Sequence, residues 1–490
     1  MTSLYPFSNP FSILYIEKRL NILCPYKKGS LMNHTNDMTC GNPLKALILF
    51  SLPLIAGNLF QHFYNLMDIA IVGNALGDDA LSAVGATSAL YGLFLSISFG
   101  FTNGFSLVIA RYFGAKDEKN LKASIAHTMK MSIMAALILT IIAFFATKPL
   151  LALLKTPDIG ESYRYISVVL FFLIFTVCYN MFSGILRAVG NSVAPLVFLV
   201  IGTLSNIGLD FLFICVFHMG VFGAGLATVM SQAVSCVISG WFLLKKCKNL
   251  LPSKEDFRTN ASMSKELFTN GLSMALMLSI VSIGSISLQY AVNSLGPVTV
   301  TAHTTARKID ETMMLVFFPL STAAATFCSQ NLGAGKPDRI KKGIATAFFI
   351  GGAVSVIMTA VTFLYGETLV RLISGSKNSE VIRLGSLYLK YNIPFYFFLI
   401  VLVILRSTLQ GLGSKILPVI ASITELIGKV VFALLLVPQI GYRGVIFSEP
   451  VIWIIGAVIV GSGFLVLLTR ISHTSYRSCR AISTDPQHAR

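Results

Sequence analysis

Leu76-Gly77, Gly114-Ala115 and Ile125-Ala126 return in the second half of the chain as Leu295-Gly296, Gly333-Ala334 and Ile344-Ala345, each moved by the same 219 positions, as from Gly114 to Gly333. A constant shift over so long a stretch marks a duplication, and both copies are strings of apolar segments. A repeated set of membrane helices is the sequence signature of secondary transporters, which place a site between two repeats and rock one against the other.

Composition agrees. Of the 490 residues, 54% are hydrophobic and 12% charged, outside the range of soluble domains. About twelve segments between residues 44 and 468 reach the roughly 20 apolar residues that a crossing helix needs. The expected class is therefore an all-α integral membrane protein. An even number of helices per half puts both halves the same way up, related by an axis along the membrane normal. The chain divides into a disordered cytoplasmic leader over residues 1–43, an N-lobe of helices 1 to 6 over 44–244, and a charged linker over 245–265. A C-lobe of helices 7 to 12 over 266–468 and a cytoplasmic tail over 469–490 complete it. Met32 and Met38, just ahead of the first helix, are alternative starts.

The formal net charge of +17 invites a nucleic-acid reading, but the cations lie in alternate loops. Arg111, Lys116, Lys119 and Lys122 form one group, Lys245, Lys246, Lys248, Lys254 and Arg258 another, and Lys336, Arg339, Lys341 and Lys342 a third. This positive-inside pattern places both termini and the linker in the cytoplasm, with Arg371, Lys377 and Arg383 as the exception. No basic stripe accompanies an ordered soluble domain, which excludes nucleic acid as a partner. The eight cysteines, several of them inside helices, have no ligand spacing and read as small buried residues.

Carboxylates inside apolar spans carry the functional argument, because an Asp at a helix centre costs roughly 2.5 to 3.5 kcal/mol to insert. Asp68 shares one face of the first helix with Tyr64 and Gln61, four and seven residues earlier. Asn206 precedes Asp210 by four on the fifth helix, and Thr228 on the sixth is placed to join them. Two carboxylates, an amide and hydroxyls offer hard oxygens to a small cation, or a pair of acids able to trade a proton. Gln61 and Asn180 are the supporting polar groups. The plain structural alternative has Asp68 wet at a helix end and Asp210 bonded to nearby backbone.

The run Gln61-His62-Phe63-Tyr64-Asn65-Leu66-Met67-Asp68-Ile69-Ala70-Ile71-Val72-Gly73 resembles the first-helix motif of the multidrug and toxic compound extrusion transporters. Ser329-Gln330-Asn331-Leu332-Gly333-Ala334-Gly335 resembles that family's loop after the eighth helix, and Ala110-Arg111-Tyr112-Phe113-Gly114-Ala115 its first-half counterpart. The resemblance spans residues 44–468. It implies two six-helix bundles facing each other across a V-shaped central cavity, and export of cationic amphipathic compounds in exchange for sodium ions or protons. It further implies a bacterial plasma membrane as the location. In relatives with an N-lobe cation site the ligands match Tyr64, Asp68, Asn206, Asp210 and Thr228, so the coupling ion, Na+ or a proton, is expected there, with Asp68, Asn206 and Asp210 as the ligands if it is Na+. The C-lobe carboxylates of other relatives align with Val281 and Leu399, which cannot bind a cation.

Further ionisable residues lie in the second half. Glu425 and Lys429, four apart, have the spacing of a structural ion pair. Arg307, Lys308, Asp310 and Glu311 enter the eighth helix together and are expected to neutralise one another. Arg406 is expected to snorkel to the cytoplasmic surface. Glu311, Phe317 and Met277 are the expected substrate-cavity residues, since flat organic cations favour aromatic faces and a carboxylate. Pro53, Pro195, Pro319, Pro394 and Pro418 mark kinks or helix starts.

Two rival functions are weighed. A flippase or exporter of lipid-linked or other metabolites would share the architecture but would want cavity cations for a pyrophosphate. A membrane enzyme would need paired acidic metal motifs or a histidine cluster, and the seven histidines are dispersed. No cofactor is expected beyond the coupling ion, and the expected partners are small organic cations and membrane lipids, with no obligatory protein. The residues leave sodium and proton coupling equally open.

Overall fold

The computed structural model describes residues 37–153, 156, 158–258 and 260–483, with side chains to residue 469 except at 78, 79, 81 and 89. The expected disorder of the leader before residue 37, the start at Met32 and the last residues of the tail lie outside the described residues. Among the described residues eleven helices are long and apolar enough to cross a membrane, and a pair bent by 45° makes a twelfth crossing. Span 1 is Pro43–Leu76, span 2 Ser82–Gly114, span 3 Glu118–Leu153, and span 4 the bent pair Ile159–Phe171 and Leu173–Ala188. Span 5 is Val193–Val216, span 6 Gly220–Lys246, span 7 Ala261–Asn293 and span 8 Pro297–Gly333. Span 9 is Pro337–Ser374, span 10 Ser379–Gly411, span 11 Ile416–Ile440 and span 12 Tyr442–Thr469, whose helix continues to Ser483.

Local chemistry sets these boundaries. Asn42 caps span 1 by accepting from the Leu44 N–H, with Pro43 at the first helical position. The Asn260 carboxamide accepts from the Met263 N–H at 3.1 Å and starts span 7 at Ala261, earlier than expected. Leu59, Leu66, Phe145 and Leu364 cover the outside of the bundles with exposed apolar surface, and the helices satisfy their own backbone groups as a bilayer demands.

The duplication is visible in the backbone. Gly77 and Gly296 turn spans 1 and 7 into spans 2 and 8 with φ of 84° and 90°. The Glu161–Arg164 ion pair of span 4 recurs as Glu380–Arg383 of span 10. Gly190 and Gly413 both have φ 87°, and from there the shift is 223, as from Pro195 to Pro418. Span 10 has therefore gained four residues, and it contains the 3-10 turn Ile393–Phe395 around Pro394. Pro53 lies inside the helix of span 1, Pro319 follows the break in span 8 between Met314 and Phe317, and Pro195 and Pro418 occupy first turns. Spans 5 and 11 each pass into a π-helical turn, Phe211–Val216 and Phe432–Leu436.

The halves meet at the end that carries the basic loops. Span 2 packs on span 7 without room for a side chain, because a Cβ on Gly100 would strike the backbone of Ala275 and one on Gly104 that of Asn270 and Gly271. At the tips Gly114 rests on the Gln330 carbonyl and Gly333 on the Arg111 carbonyl. Ser329 Oγ donates to the Leu107 carbonyl at 2.6 Å, and Arg111 pairs with Glu266 at 2.6 Å. At the opposite end, Ile159–Phe171 and Pro297–Met314 pack chiefly within their own halves.

Residues Met38–Gly41, expected to be part of a disordered leader, instead cross to the other half. The Met38 N–H donates to Gln330 Oε1 at 3.1 Å, while Gln330 Nε2 donates to the Ala188 carbonyl at 2.8 Å. Arg339 donates to the carbonyls of Met38, Cys40 and Gly41, and Lys336 to that of Thr39 at 2.9 Å. A planar guanidinium with five donors suits such a row of carbonyls.

Candidate ion-coupling site

Three N-lobe spans bring the five expected coupling residues together. Span 1 contributes Tyr64 and Asp68, one turn apart on the face turned inward, while Leu59, Phe63 and Leu66 point outward. Span 5 contributes Asn206 and Asp210, both fully buried, and span 6 contributes Thr228. Tyr64 Oη and Thr228 Oγ1 lie 3.4 Å apart, tying spans 1 and 6. The Asp68 and Asp210 carboxylates lie within electrostatic reach of each other and of Tyr91 of span 2 and Tyr165 of span 4.

The polar atoms here have unused capacity. Asp68 Oδ1, both oxygens of Asp210, and both Oδ1 and Nδ2 of Asn206 are buried without a hydrogen-bond partner. Buried polar groups are normally satisfied, and an unpaired buried carboxylate is costly. A small cation, or a proton shared by the two carboxyls, relieves that cost, and the donor set of two carboxylates, a carboxamide oxygen and a hydroxyl is hard oxygen throughout. The wet helix-end alternative for Asp68 does not hold, because its exposure is 8%. Nor does Asp210 bond to neighbouring backbone.

The remaining expectations divide. Gln61 and Asn180 are half-buried, and neither hydrogen-bonds to the five. Met277 is buried in the contact between the halves with Leu107, Met274 and Ala325. Phe317 packs edge-on to Tyr396 at 5.3 Å inside the C-lobe. Both are packing residues, not cavity wall, because an apolar side chain at a tight helix crossing finds more contact there than at a polar surface. Glu311 is exposed and pairs with Arg307 at 3.5 Å. Lys308, expected to share in that neutralisation, is exposed and stays outside the cluster. Val281 and Leu399 offer no ligand atoms.

Arg406 does not snorkel. It is buried and donates to Glu425 Oε2 at 3.1 Å, because a carboxylate one helix away outcompetes the distant surface. Glu425 also pairs with Lys429 at 3.2 Å, and Lys429 reaches Glu449 at 3.4 Å. Glu449 went unnoticed in the sequence, although it meets the criterion that exposed Asp68, a carboxylate within an apolar span. Tyr91 and Tyr165 gave no signal, since a lone tyrosine in a helix is unremarked by spacing. Among the described residues no group of three His, Cys, Asp or Glu side chains could hold a metal ion, and no described cysteine is in a disulfide.

Comparison with known proteins follows the same two halves. The MatE family model matches residues 53–212 and again residues 273–435. The chain belongs to the MatE family. As a MatE protein it is a multi-span membrane transporter and not an enzyme. It is 27% identical over 382 residues to the "Probable multidrug resistance protein YpnP" of Bacillus subtilis, covering 78% of this chain and 85% of that protein. It is 21% identical over 416 residues to the "Multidrug export protein MepA" of Staphylococcus aureus, covering 82% and 89%. A solved structure described as "Crystal structure of MATE in the bent conformation" superposes with a TM-score of 0.84 at 23% identity, over 90% of this chain and 98% of that one. Another, an outward-facing MATE family transporter of the MOP superfamily, gives 0.82 at 24% identity over 90% and 98%. These likenesses establish the fold as that of the MatE transporters.

Proposed function

We propose that this protein exports cationic amphipathic compounds across a bacterial plasma membrane in exchange for sodium ions or protons, by alternating access. The observation that carries the reading is the cluster of buried, partnerless oxygens on Asp68, Asn206 and Asp210. The names of the multidrug resistance and export relatives support drug export as the activity. In this reading the basic end and both termini face the cytoplasm, and the closed basic end corresponds to an outward-facing state. The two lobes alone suffice for transport, with lipid around them.

The mechanism is linkage between two conformations. Asp68 and Asp210 hold the ion with Asn206 Oδ1 and Thr228, and Tyr64 fixes the distance between spans 1 and 6. Ion and organic cation favour different states and exclude one another, so each crossing of one requires the return of the other. A single positive charge that enters the site offsets the repulsion between the two carboxyl groups, which makes occupancy a strong lever on span 1.

The test is efflux of a fluorescent cationic dye from proteoliposomes containing wild type or Asp68→Asn under separately imposed sodium and proton gradients. Wild type is expected to export dye on one gradient and Asp68→Asn, at equal membrane level, on neither. Failure of both gradients to drive wild type would sink the reading and favour lipid-linked or other metabolites as cargo.

A further inference from the structure

The repeat that built the N-lobe site has a counterpart in the C-lobe, where two of the five positions carry charge and the counterparts of Tyr64, Asp68 and Asp210 are Ile283, Ser287 and Ala433. Counting from Gly190 and Gly413, which share φ 87°, and from Pro195 and Pro418, Asn206 corresponds to Lys429. Gly220 and Gly441, with φ of 63° and 61°, start spans 6 and 12 in register and bring Thr228 onto Glu449. Where the N-lobe has a neutral ligand, the C-lobe has a cation. Where the N-lobe has a hydroxyl, the C-lobe has a carboxylate.

The Lys429 ammonium sits among oxygens as a bound ion would. Glu425 Oε1 of span 11 is at 3.2 Å, Glu449 Oε1 of span 12 at 3.4 Å, and Ser285 Oγ of span 7 at 3.3 Å. Spans 7, 11 and 12 are the repeats of spans 1, 5 and 6, which carry the N-lobe site. Lys429, Glu425 and Glu449 are all buried. Arg406 holds the other oxygen of Glu425, and Arg307 approaches Glu449 at 3.7 Å and Asp310 at 3.1 Å, so the carboxylates are positioned from outside as well. None of Glu425, Lys429 and Glu449 has a buried polar atom left without a partner, whereas Asn206 and Asp210 have four between them.

We propose that Lys429 is a tethered cation: the oxygens of Glu425, Glu449 and Ser285, on the repeats of the spans that carry the N-lobe site, are occupied permanently by the chain's own ammonium, leaving the N-lobe as the single exchangeable site. The inference rests on the N-lobe reading for its functional meaning, since it limits the transporter to one coupling site per chain. Its structural content, an oxygen cage that needs a cation, stands independently. Lys429 is thus a positioning residue that holds spans 7, 11 and 12 in the geometry of an occupied site.

The experiment is done with the N-lobe silenced by Asp68→Asn and Asp210→Asn, so that failure of the N-lobe reading does not enter it. In that protein Lys429→Ala removes a propylammonium's worth of side chain. The thermal midpoint of the detergent-solubilised variant is expected to fall and to be restored saturably by propylammonium chloride but not by 1-propanol. The parent with Lys429 intact is expected to show no saturable response to propylammonium or sodium. A second measurement covers the case in which Lys429→Ala does not fold: equilibrium binding of radioactive sodium to the silenced protein with Lys429 intact, expected to show none. Saturable sodium in that protein, or absence of rescue in a folded Lys429→Ala, overturns the proposal. Loss of cation binding at the N-lobe of otherwise native protein, with rescue intact, would instead count against the N-lobe reading alone.

Discussion

Gly114 lies against the backbone carbonyl of Gln330, and the same contact recurs one repeat later where Gly333 lies against the carbonyl of Arg111. Position 111 corresponds to 330 and position 114 to 333, so the closed end is a pair of identical handshakes across the pseudo-symmetry axis. A Cβ at either glycine collides with backbone, which cannot step aside as a side chain would.

Gly114→Ala and Gly333→Ala are therefore expected to disfavour closure of the basic end by about 1 to 3 kcal/mol, the usual range for overpacking. Distances between spin labels at the tips of spans 2 and 8 should lengthen in both variants. Unchanged distance distributions would show that the closure does not depend on these contacts.

Within the N-lobe, the ligands should differ in weight. Asn206→Leu removes a buried oxygen and adds apolar bulk, and gradient-driven dye export is expected to disappear. Tyr64→Phe deletes only the long 3.4 Å contact to Thr228, and about a 2- to 10-fold rise in the ion concentration for half-maximal transport is expected, as for loss of one hydrogen bond. Equal effects of the two would argue that the cluster does not act as an ion site.

Arg406→Met leaves Glu425 buried with one cation fewer. Breaking a buried pair from one side typically costs about 3 to 5 kcal/mol, so a marked drop in thermal midpoint is expected. The double variant Arg406→Met with Glu425→Gln should recover part of the loss, and a double variant no better than the sum of the singles would mean that the pair is not energetically coupled.

Arg339→Gln removes the donors that gather the carbonyls of Met38, Cys40 and Gly41. With the other cysteines replaced by serine, a spin label on Cys40, which is exposed, should become more mobile in this variant. A spectrum identical to that of native Arg339 would show that the guanidinium does not hold the segment.

The sequence made the architecture and the N-lobe cluster legible for one physical reason. A bilayer penalises charge so heavily that Asp68 and Asp210 stand out in their apolar helices, and helical spacing then names Tyr64 and Asn206 as their neighbours. It failed where contact is decided between helices. Arg406 looked close enough to a helix end to reach water, and only the packing of span 10 on span 11 shows Glu425 beside it. Phe317 and Met277 failed similarly, since apolar residues carry no mark that tells cavity wall from core. The ordered segment at Met38 was invisible because its bonds are made by backbone carbonyls, to which residue identity contributes little.

The strap at Met38–Gly41 joins the start of span 1 to the opposite half, while Asp68 lies about 25 residues on, roughly 38 Å along a helix of 1.5 Å rise per residue. Span 1 thus resembles a tie rod anchored in one body and seated in the other. When the halves part at the basic end, the rod is drawn along its axis or must flex, and either displacement arrives at the carboxylate. In the proposed exchange, news of the gate's position reaches Asp68 by traction, without a charge having to move.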